Sequence, residues 1–514
     1  MRLKEKIAAT ALAGALVGGW AQAQSTSPAD SHGDTIMSQE QAKRLLGSVD
    51  AVMLFDSEDT GLASAGEVKR RLVTRKEVTE YLINSFKEDE SAKRLQRSEI
   101  VLKKFGLLSQ DFQLQPFLLK LLTEQVAGYY DEKTKTVNLL NWVPAAAQEP
   151  VLAHELTHAL QDKRVDLQKW SNDGFKGISA SSVEDNQRIR SDELETARQA
   201  VAEGQAMLVY VDYTKKHPDQ QADAQATAPE SSVMSRAPLM LQKSLEFPYL
   251  AGMAFEQALR GSGGKEVAFA NALDHPPVSS FEVMNPAAYL THSPVPVLHL
   301  PDVHTLLDGD WQPYDVGAMG ALDVDIMASL FAGQDAAAEL VPAWDGGIYY
   351  AAQKRSATVA AKQTSASIAL LYYSQWKTAA SAQAFAQMYA QELPRKYSRL
   401  HERTEDEDGD QVFSTEQGDV FIAANGRTLF LSEGFPLATA RKLRDAAISV
   451  QTTGPLRMAS MPRRYLPELS LALGKATAAH GMLHLAFAPE RYTRTGNWAE
   501  KNHQSGKEMR DTAQ

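Results

Sequence analysis

Cysteine is absent from the 514 residues of this chain. Its absence excludes disulfides, thiolate zinc sites, iron–sulfur clusters and a cysteine nucleophile. Surplus positive charge is missing too: 53 Lys+Arg stand against 64 Asp+Glu, a formal net charge of −11. A sequence-independent grip on nucleic acid needs a basic surface, so no nucleic-acid partner is expected. There is no tandem repeat. Apolar runs are scarce: the best one, Ile7 to Trp20, is short and rich in Gly and Ala. A membrane span needs about 20 strongly apolar residues, so no span is expected in the mature chain. What is present is ordinary globular composition, 44% hydrophobic and 23% charged, which excludes wholesale disorder, collagen and coiled coil. At roughly 150 residues per domain, about three domains or two larger ones are allowed.

The first residues read as an address. Arg2, Lys4 and Lys6 form a basic start, the apolar run follows, and Ala21-Gln22-Ala23 supplies a small-x-small cleavage site. Residues 1–23 are therefore expected to be a Sec-type signal peptide, with a mature chain from Gln24 that is periplasmic or secreted. No Cys follows the site, which excludes a lipid anchor. Residues 24–35 are small and polar, a flexible leader.

From about Met37 to Gln125 the apolar spacing is helical, with Val78, Tyr81, Leu82 and Phe86 on one stripe and Leu118, Leu121 and Leu122 on another. Residues 126–140 carry a hairpin signal, two short apolar runs around a polar turn at Asp131 to Thr134. Pro150 suits a first helical turn, and Val151 to Gln161 contains no breaker, so a helix is expected there. A second long helix is expected over 191–213, from Leu194, Ala197, Val201, Leu208 and Val211. Residues 217–237 read as a loop, and helical and loop segments continue to about 340. Beyond Trp344 the pattern changes to strands at Ile348–Ala351, Ile368–Tyr373, Val412–Ser414, Val420–Ala424 and Thr428–Leu431, the last pair joined at Asn425-Gly426. Helices are expected at Ala379–Leu393 and Ala438–Val450. The fold class is α+β: a larger domain over 36–340, an α+β accessory domain over 341–450, and an irregular tail over 451–514.

The chemistry concentrates in Val151-Leu152-Ala153-His154-Glu155-Leu156-Thr157-His158. Residues four apart share a helix face, so His154 and His158 can offer two imidazoles to one ion. Neutral imidazoles leave a zinc ion doubly positive and able to acidify a water, and Glu155 beside the first ligand is placed to take that water's proton. Chance puts this pattern in roughly one or two such chains per hundred, so context matters. Here the motif lies on a helix directly after a hairpin.

A catalytic zinc needs a third protein ligand. The run after His158, Ala159-Leu160-Gln161-Asp162, offers no further His, so a carboxylate on the second helix is expected. Glu193, Glu195 and Glu203 are available there. Glu203 lies in an otherwise apolar stretch where an unpaired carboxylate is costly, and is preferred, with Glu195 in reserve. Gly204 costs about 1 kcal/mol in a helix interior, which implies close approach of another backbone.

These residues resemble the thermolysin-like gluzincin zinc metallopeptidases, whose third ligand is a Glu on a helix downstream of His-Glu-x-x-His. The chain is also similar, over roughly 70–350, to exported bacterial zinc-peptidase proteins. The shared stretches are Glu124 to Asp131, Glu203 to Ala206, Phe247 to Gly252, Pro276 to Ser280, Asn285-Pro286 and Trp344 to Gly346. The resemblance implies a zincin-like metallopeptidase domain, a Zn2+ cofactor and a protein or peptide substrate laid along an edge strand of the hairpin. His154, His158 and Glu203 would be ligands and Glu155 the general base. Tyr129 and Tyr130 are candidate substrate-binding residues; each of them, like Tyr210 and Tyr249, could donate to a developing oxyanion. One departure stands out: thermolysin has an Asp four residues after its ligand Glu to orient a His, and this chain has Met207. Two other functions stay open, a zinc hydrolase of a non-peptide amide or ester, and a non-catalytic exported binding protein with a structural zinc.

Overall fold

The computed structural model describes residues 37–451, apart from 88–89, 126–127, 171–177, 219–232, 308 and 404–409. The expected signal peptide, leader and tail and most of the loop 217–237 lie outside the described residues. The fold is α+β, with helices and two separate sheets.

Helix α1 (Gln39–Thr60) starts at a capping box, in which Ser38 and Gln41 satisfy each other's backbone N–H, and stops at Gly61 with φ +73°. Strand β1 (Lys69–Val73) follows, within the stretch where the spacing is helical. Five residues are too few for periodicity to decide, and tertiary pairing does: β1 lies parallel to a later strand, from Lys69↔Thr136 to Val73↔Leu140. Its basic residues suit an outer strand, where charge blunts further pairing. Helices α2 (Arg75–Lys87), α3 (Glu90–Phe105) and α4 (Leu114–Gln125) come next.

The expected hairpin is present as β2 (Gly128–Asp131) and β3 (Thr136–Leu140). Among the described residues, the sheet order β1-β3-β2 leaves one edge of β2 without a strand partner. Helix α5 (Ala145–Val165) begins one turn and a half before Pro150, which sits inside it rather than at its start. Gln148 ties α5 to the sheet, accepting from Leu140 N–H and donating to the carbonyls of Leu140 and Val143.

After the short helix α6 (Leu167–Trp170), helix α7 (Ser182–Lys216) is capped by Ser181 and runs longer at both ends than its apolar stripe indicates. Helix α8 (Leu239–Lys265) lies alongside it; the two are parallel, as the close pair Gly204/Gly252 and the ion pair Asp212/Arg260 require. Gly264, at φ +74°, breaks α8, and a π-helical segment, Glu266–Asn271, continues from it.

The second sheet has seven strands, in the order β4-β5-β6-β10-β9-β8-β7. They are β4 (Trp311–Ala318), β5 (Trp344–Lys354), β6 (Ile368–Trp376), β7 (Leu400–Arg403), β8 (Gln411–Thr415), β9 (Gly418–Asn425) and β10 (Thr428–Glu433). Strand β4 corrects the expectation of helix and loop up to 340, and its pairing with β5 carries the sheet across that boundary. Helices α9 (Ala321–Phe331) and α10 (Gln334–Ala343) fill the β4–β5 connection. Both faces of β5 and β6 are buried: Tyr349 and Tyr372 join the main core, while Tyr350 and Tyr373 join a second core. Helix α11 (Ala379–Lys396) packs on the main-core face, and α12 (Leu437–Gln451) closes the second core. The β9–β10 turn is shifted by one residue from expectation. Asn425 pairs with Thr428, so Gly426 and Arg427 form the turn, and Gly426 has the positive φ, +55°, that suits glycine at the first central position of a type II′ turn.

Candidate metal centre

Helix α5 has no solvent face over its middle: residues 150–162 are all buried, between α1, α7 and the β2–β3 hairpin. A helix buried on every side is an element of the core. Its polar residues are then buried as well, and each needs a partner. Thr157 donates to Ala153 O, while Asp162 accepts from Leu167 N–H and the Tyr130 hydroxyl and pairs with Lys135. His154, His158 and Gln161 turn toward α7.

There His154, His158 and Glu203 meet. Glu203 Oε2 lies 3.2 Å from His154 Nε2 and 3.4 Å from His158 Nε2, and the two Nε2 atoms are 3.1 Å apart. Donors about 2.0–2.1 Å from a tetrahedral zinc stand about 3.3–3.4 Å from each other, so three donors at these separations match the corner spacing of such a site. Among the described residues no other trio of His, Asp or Glu converges in this way. Glu203 Oε2 makes no well-aligned hydrogen bond, its near neighbours being the two imidazole nitrogens, and the buried Glu155 Oε1 beside it has no donor. Orphaned buried acceptors are rare and call for an explanation, and a cation with a water beside it is one that serves both. Two imidazoles and a carboxylate fit a divalent metal ion.

The charges are strongly coupled. Burial alone would lower the His158 pKa, but the Glu203 charge, aided by Glu155 and by hydrogen bonds, lifts it to about 9. Burial would raise Glu203, yet His158 and His154 hold it down to about 2. For His154 burial wins and its pKa falls. Burial first, and then the Glu203 charge, push Glu155 up to about 8.

Glu155 is held from the hairpin side: its Oε2 accepts the Tyr130 backbone N–H at 2.9 Å. That N–H faces the free edge of β2, so the edge strand and the proposed base touch directly. The Tyr130 hydroxyl turns the other way, onto Asp162. Tyr129, half-buried on the opposite face of β2, is close to Arg71. Neither phenol reaches the cluster; Tyr130 contributes its backbone instead. Tyr249 on α8 is the tyrosine that does reach it, stacked on His154 at 6.4 Å between ring centroids, with its hydroxyl at Glu203. Tyr210 is buried two turns beyond Glu203.

The other candidate carboxylates lie elsewhere. Glu193 accepts from the N–H and hydroxyl of Ser280, and Glu195 is buried near the Arg198 charge. Gly204 explains how α8 comes so close: a Cβ there would overlap the Gly252 carbonyl. The residues that sequence reasoning missed are Gln161 and Gln205. Gln161 Oε1 is 2.8 Å from His158 Nδ1, and its Nε2 reaches Gln205 Oε1 at 3.0 Å. Their only sequence signal is polarity at core positions. No family model, curated protein or solved structure matches this chain.

Proposed function

We propose that the chain is an exported zinc-dependent metallopeptidase of gluzincin type, with a zincin-like domain over 36–340. The observation that carries this reading is the convergence of His154, His158 and Glu203 with Glu155 hung on an edge strand. His154 Nε2, His158 Nε2 and Glu203 Oε2 would hold the ion. Zinc bound there supplies Lewis acidity, polarising a carbonyl and acidifying a water.

The protein's own groups do the rest. Glu155 takes the proton of the attacking water and passes it to the leaving amine. The Tyr130 N–H holds one Glu155 oxygen and leaves the other turned toward the reaction. Tyr249, beside Glu203, is placed to donate to the oxyanion as charge develops. In an antiparallel pair a residue's N–H and C=O point the same way, so Gly128 and the Tyr130 carbonyl also face the free edge. An extended peptide can pair there by strand addition, which favours a peptide over a small ester.

Glu155→Gln tests the reading. The amide fills the same space and is not a ligand, so metal analysis should still find about one zinc per chain. Turnover of unfolded casein should fall by about 10²–10⁴, the usual loss when a general base is removed. Full peptidase activity in that variant would overturn the mechanism. Ester cleavage without endoproteolytic fragments would move the function to the non-peptide hydrolases.

A further inference from the structure

We propose that Gln161, itself held by Gln205, orients His158 for the metal, so that a relay of neutral amides fills the role given to an Asp in thermolysin-like enzymes. The inference rests on the metal-binding reading above. A histidine ligand must present a lone pair to the ion, and the hydrogen bond made by its other ring nitrogen decides which nitrogen that is. His158 Nδ1 lies 2.8 Å from Gln161 Oε1, one helical turn away on α5, with both side chains buried.

An amide has two ends, and the surroundings decide which end faces His158. Gln161 Nε2 lies 2.9 Å from the carbonyl of Ala202, which can only accept, so the NH2 group belongs there. Its second proton goes to Gln205 Oε1 at 3.0 Å. Gln205 is oriented in the same manner, because its Nε2 donates to the carbonyls of Ala268 and Phe269 at 2.8 and 3.1 Å. Those two carbonyls belong to the π-helical segment that follows the break at Gly264. The relay therefore runs one way, from His158 through Gln161 and Gln205 to the two backbone carbonyls, with the buried Glu256 carboxyl also beside Gln205. In the neutral imidazole that a metal requires, the one proton is then on Nδ1, donated to Gln161, and the Nε2 lone pair faces His154 and Glu203.

The two ligand histidines are treated differently. His154 Nδ1 has no well-formed hydrogen bond, and the Ala206 backbone is the group facing it. One stretch of α7, residues 202–206, thus supplies the third ligand and the groups behind both imidazoles. This accounts for Met207 where thermolysin has an Asp: the orienting contact comes from α5 itself, braced by Gln205 on α7.

The test uses the full chain with zinc and with cobalt(II). Gln161→Met keeps the shape and cannot accept a hydrogen bond; Gln161→Glu still accepts from His158 but cannot donate to Ala202 or Gln205. Zinc affinity would be measured by chelator competition, the cobalt spectrum in the visible, and folding by circular dichroism of the metal-free proteins. Loss of an outer partner typically costs about 10–100-fold in metal affinity, and that loss with an altered cobalt spectrum is expected for Gln161→Met. Gln161→Glu should return to within a few-fold of wild type, a rescue that a purely structural role would not give. A folded Gln161→Met with wild-type affinity and spectrum overturns the relay while leaving the metal reading intact. Should Gln161→Met not fold, Gln205→Met decides: the relay requires the folded variant to lose zinc affinity and alter the cobalt spectrum, and wild-type values for both refute it. A wild-type chain that takes up neither ion overturns the metal reading and the relay together, and is recognised by that.

Discussion

At the residue scale, two histidines four positions apart and a glutamate more than 40 positions beyond them end within 3.4 Å of one another, and small changes should separate their roles. Glu203→Ala removes one of three proposed ligands, so zinc occupancy should drop sharply, whereas Glu195→Ala should leave it close to wild type. Metal content of the two purified variants decides this, and the opposite pattern would show that the ligand is misassigned. Tyr249→Phe keeps the ring stacked on His154 and deletes only the hydroxyl. Zinc content should hold, while kcat falls by about 10²-fold or more, the loss typical of a missing oxyanion donor. An unchanged kcat would leave Tyr249 as packing.

At the element scale, the position of Glu203 depends on how α7 meets α8. The two helices touch at Gly204 and Gly252, and neither position has room for a Cβ: at Gly204 it would meet the Gly252 carbonyl, at Gly252 the Ala200 carbonyl. Propensity favours Gly204→Ala by about 1 kcal/mol, because glycine is the more costly residue in a helix. Overpacking opposes it by about 1–3 kcal/mol, and with backbone as the obstacle it should win. Urea unfolding should show net destabilisation of Gly204→Ala, with weaker zinc binding as Glu203 is displaced. A stabilised variant would mean that the helices slide apart without cost. The hairpin works at the same scale: β2 gives Glu155 a backbone donor because the sheet order leaves that edge open.

At the scale of the whole molecule, the core encloses further carboxyl groups, one distant from the centre on α1 and one, Glu256, beside Gln205. Asp56 on α1 and Glu256 on α8 are fully buried, and burial raises both well above the usual carboxylate range, with Asp59 adding to the effect on Asp56. The sign follows from proton counts. Above about pH 4 the unfolded chain gives up these protons while the folded chain keeps them, so the unfolded state gains and stability falls as pH rises toward the folded values. Asp56→Asn and Glu256→Gln remove that penalty. Each should raise the thermal midpoint by roughly 1–4 °C at pH 7–8 and by little near pH 4. Equal gains at both pH values would show that ionisation is not the cause. The second sheet is tied in at this scale too: fully buried Lys104 on α3 lies near the Glu433 charge on β10, and Phe105 packs edge-on against Tyr349 of β5 at 5.7 Å.

The sequence alone determined what depends on neighbours along the chain. His154 and His158 share a face because they are four residues apart on a helix, Glu155 follows the first of them, and the hairpin before the motif is set by its short apolar runs and polar turn. Gly204 announced a close contact, though not its partner. What lay beyond reach of the sequence is whatever depends on the relative offset of packed elements. Among Glu193, Glu195 and Glu203 the apolar surroundings already favoured Glu203, but they could not give the partner of each carboxylate. Only the way α7 lies against α5 sends Glu203 to the histidines and Glu193 to Ser280. The same holds for Tyr249 over Tyr129 and Tyr130, for β1, whose five residues become a strand only against β3, and for Gln161, whose amide is oriented by the Ala202 carbonyl 41 residues away. A helix fixes the angle between its own side chains, but which of them reaches a common point is set by contacts that exist only once the chain has closed on itself.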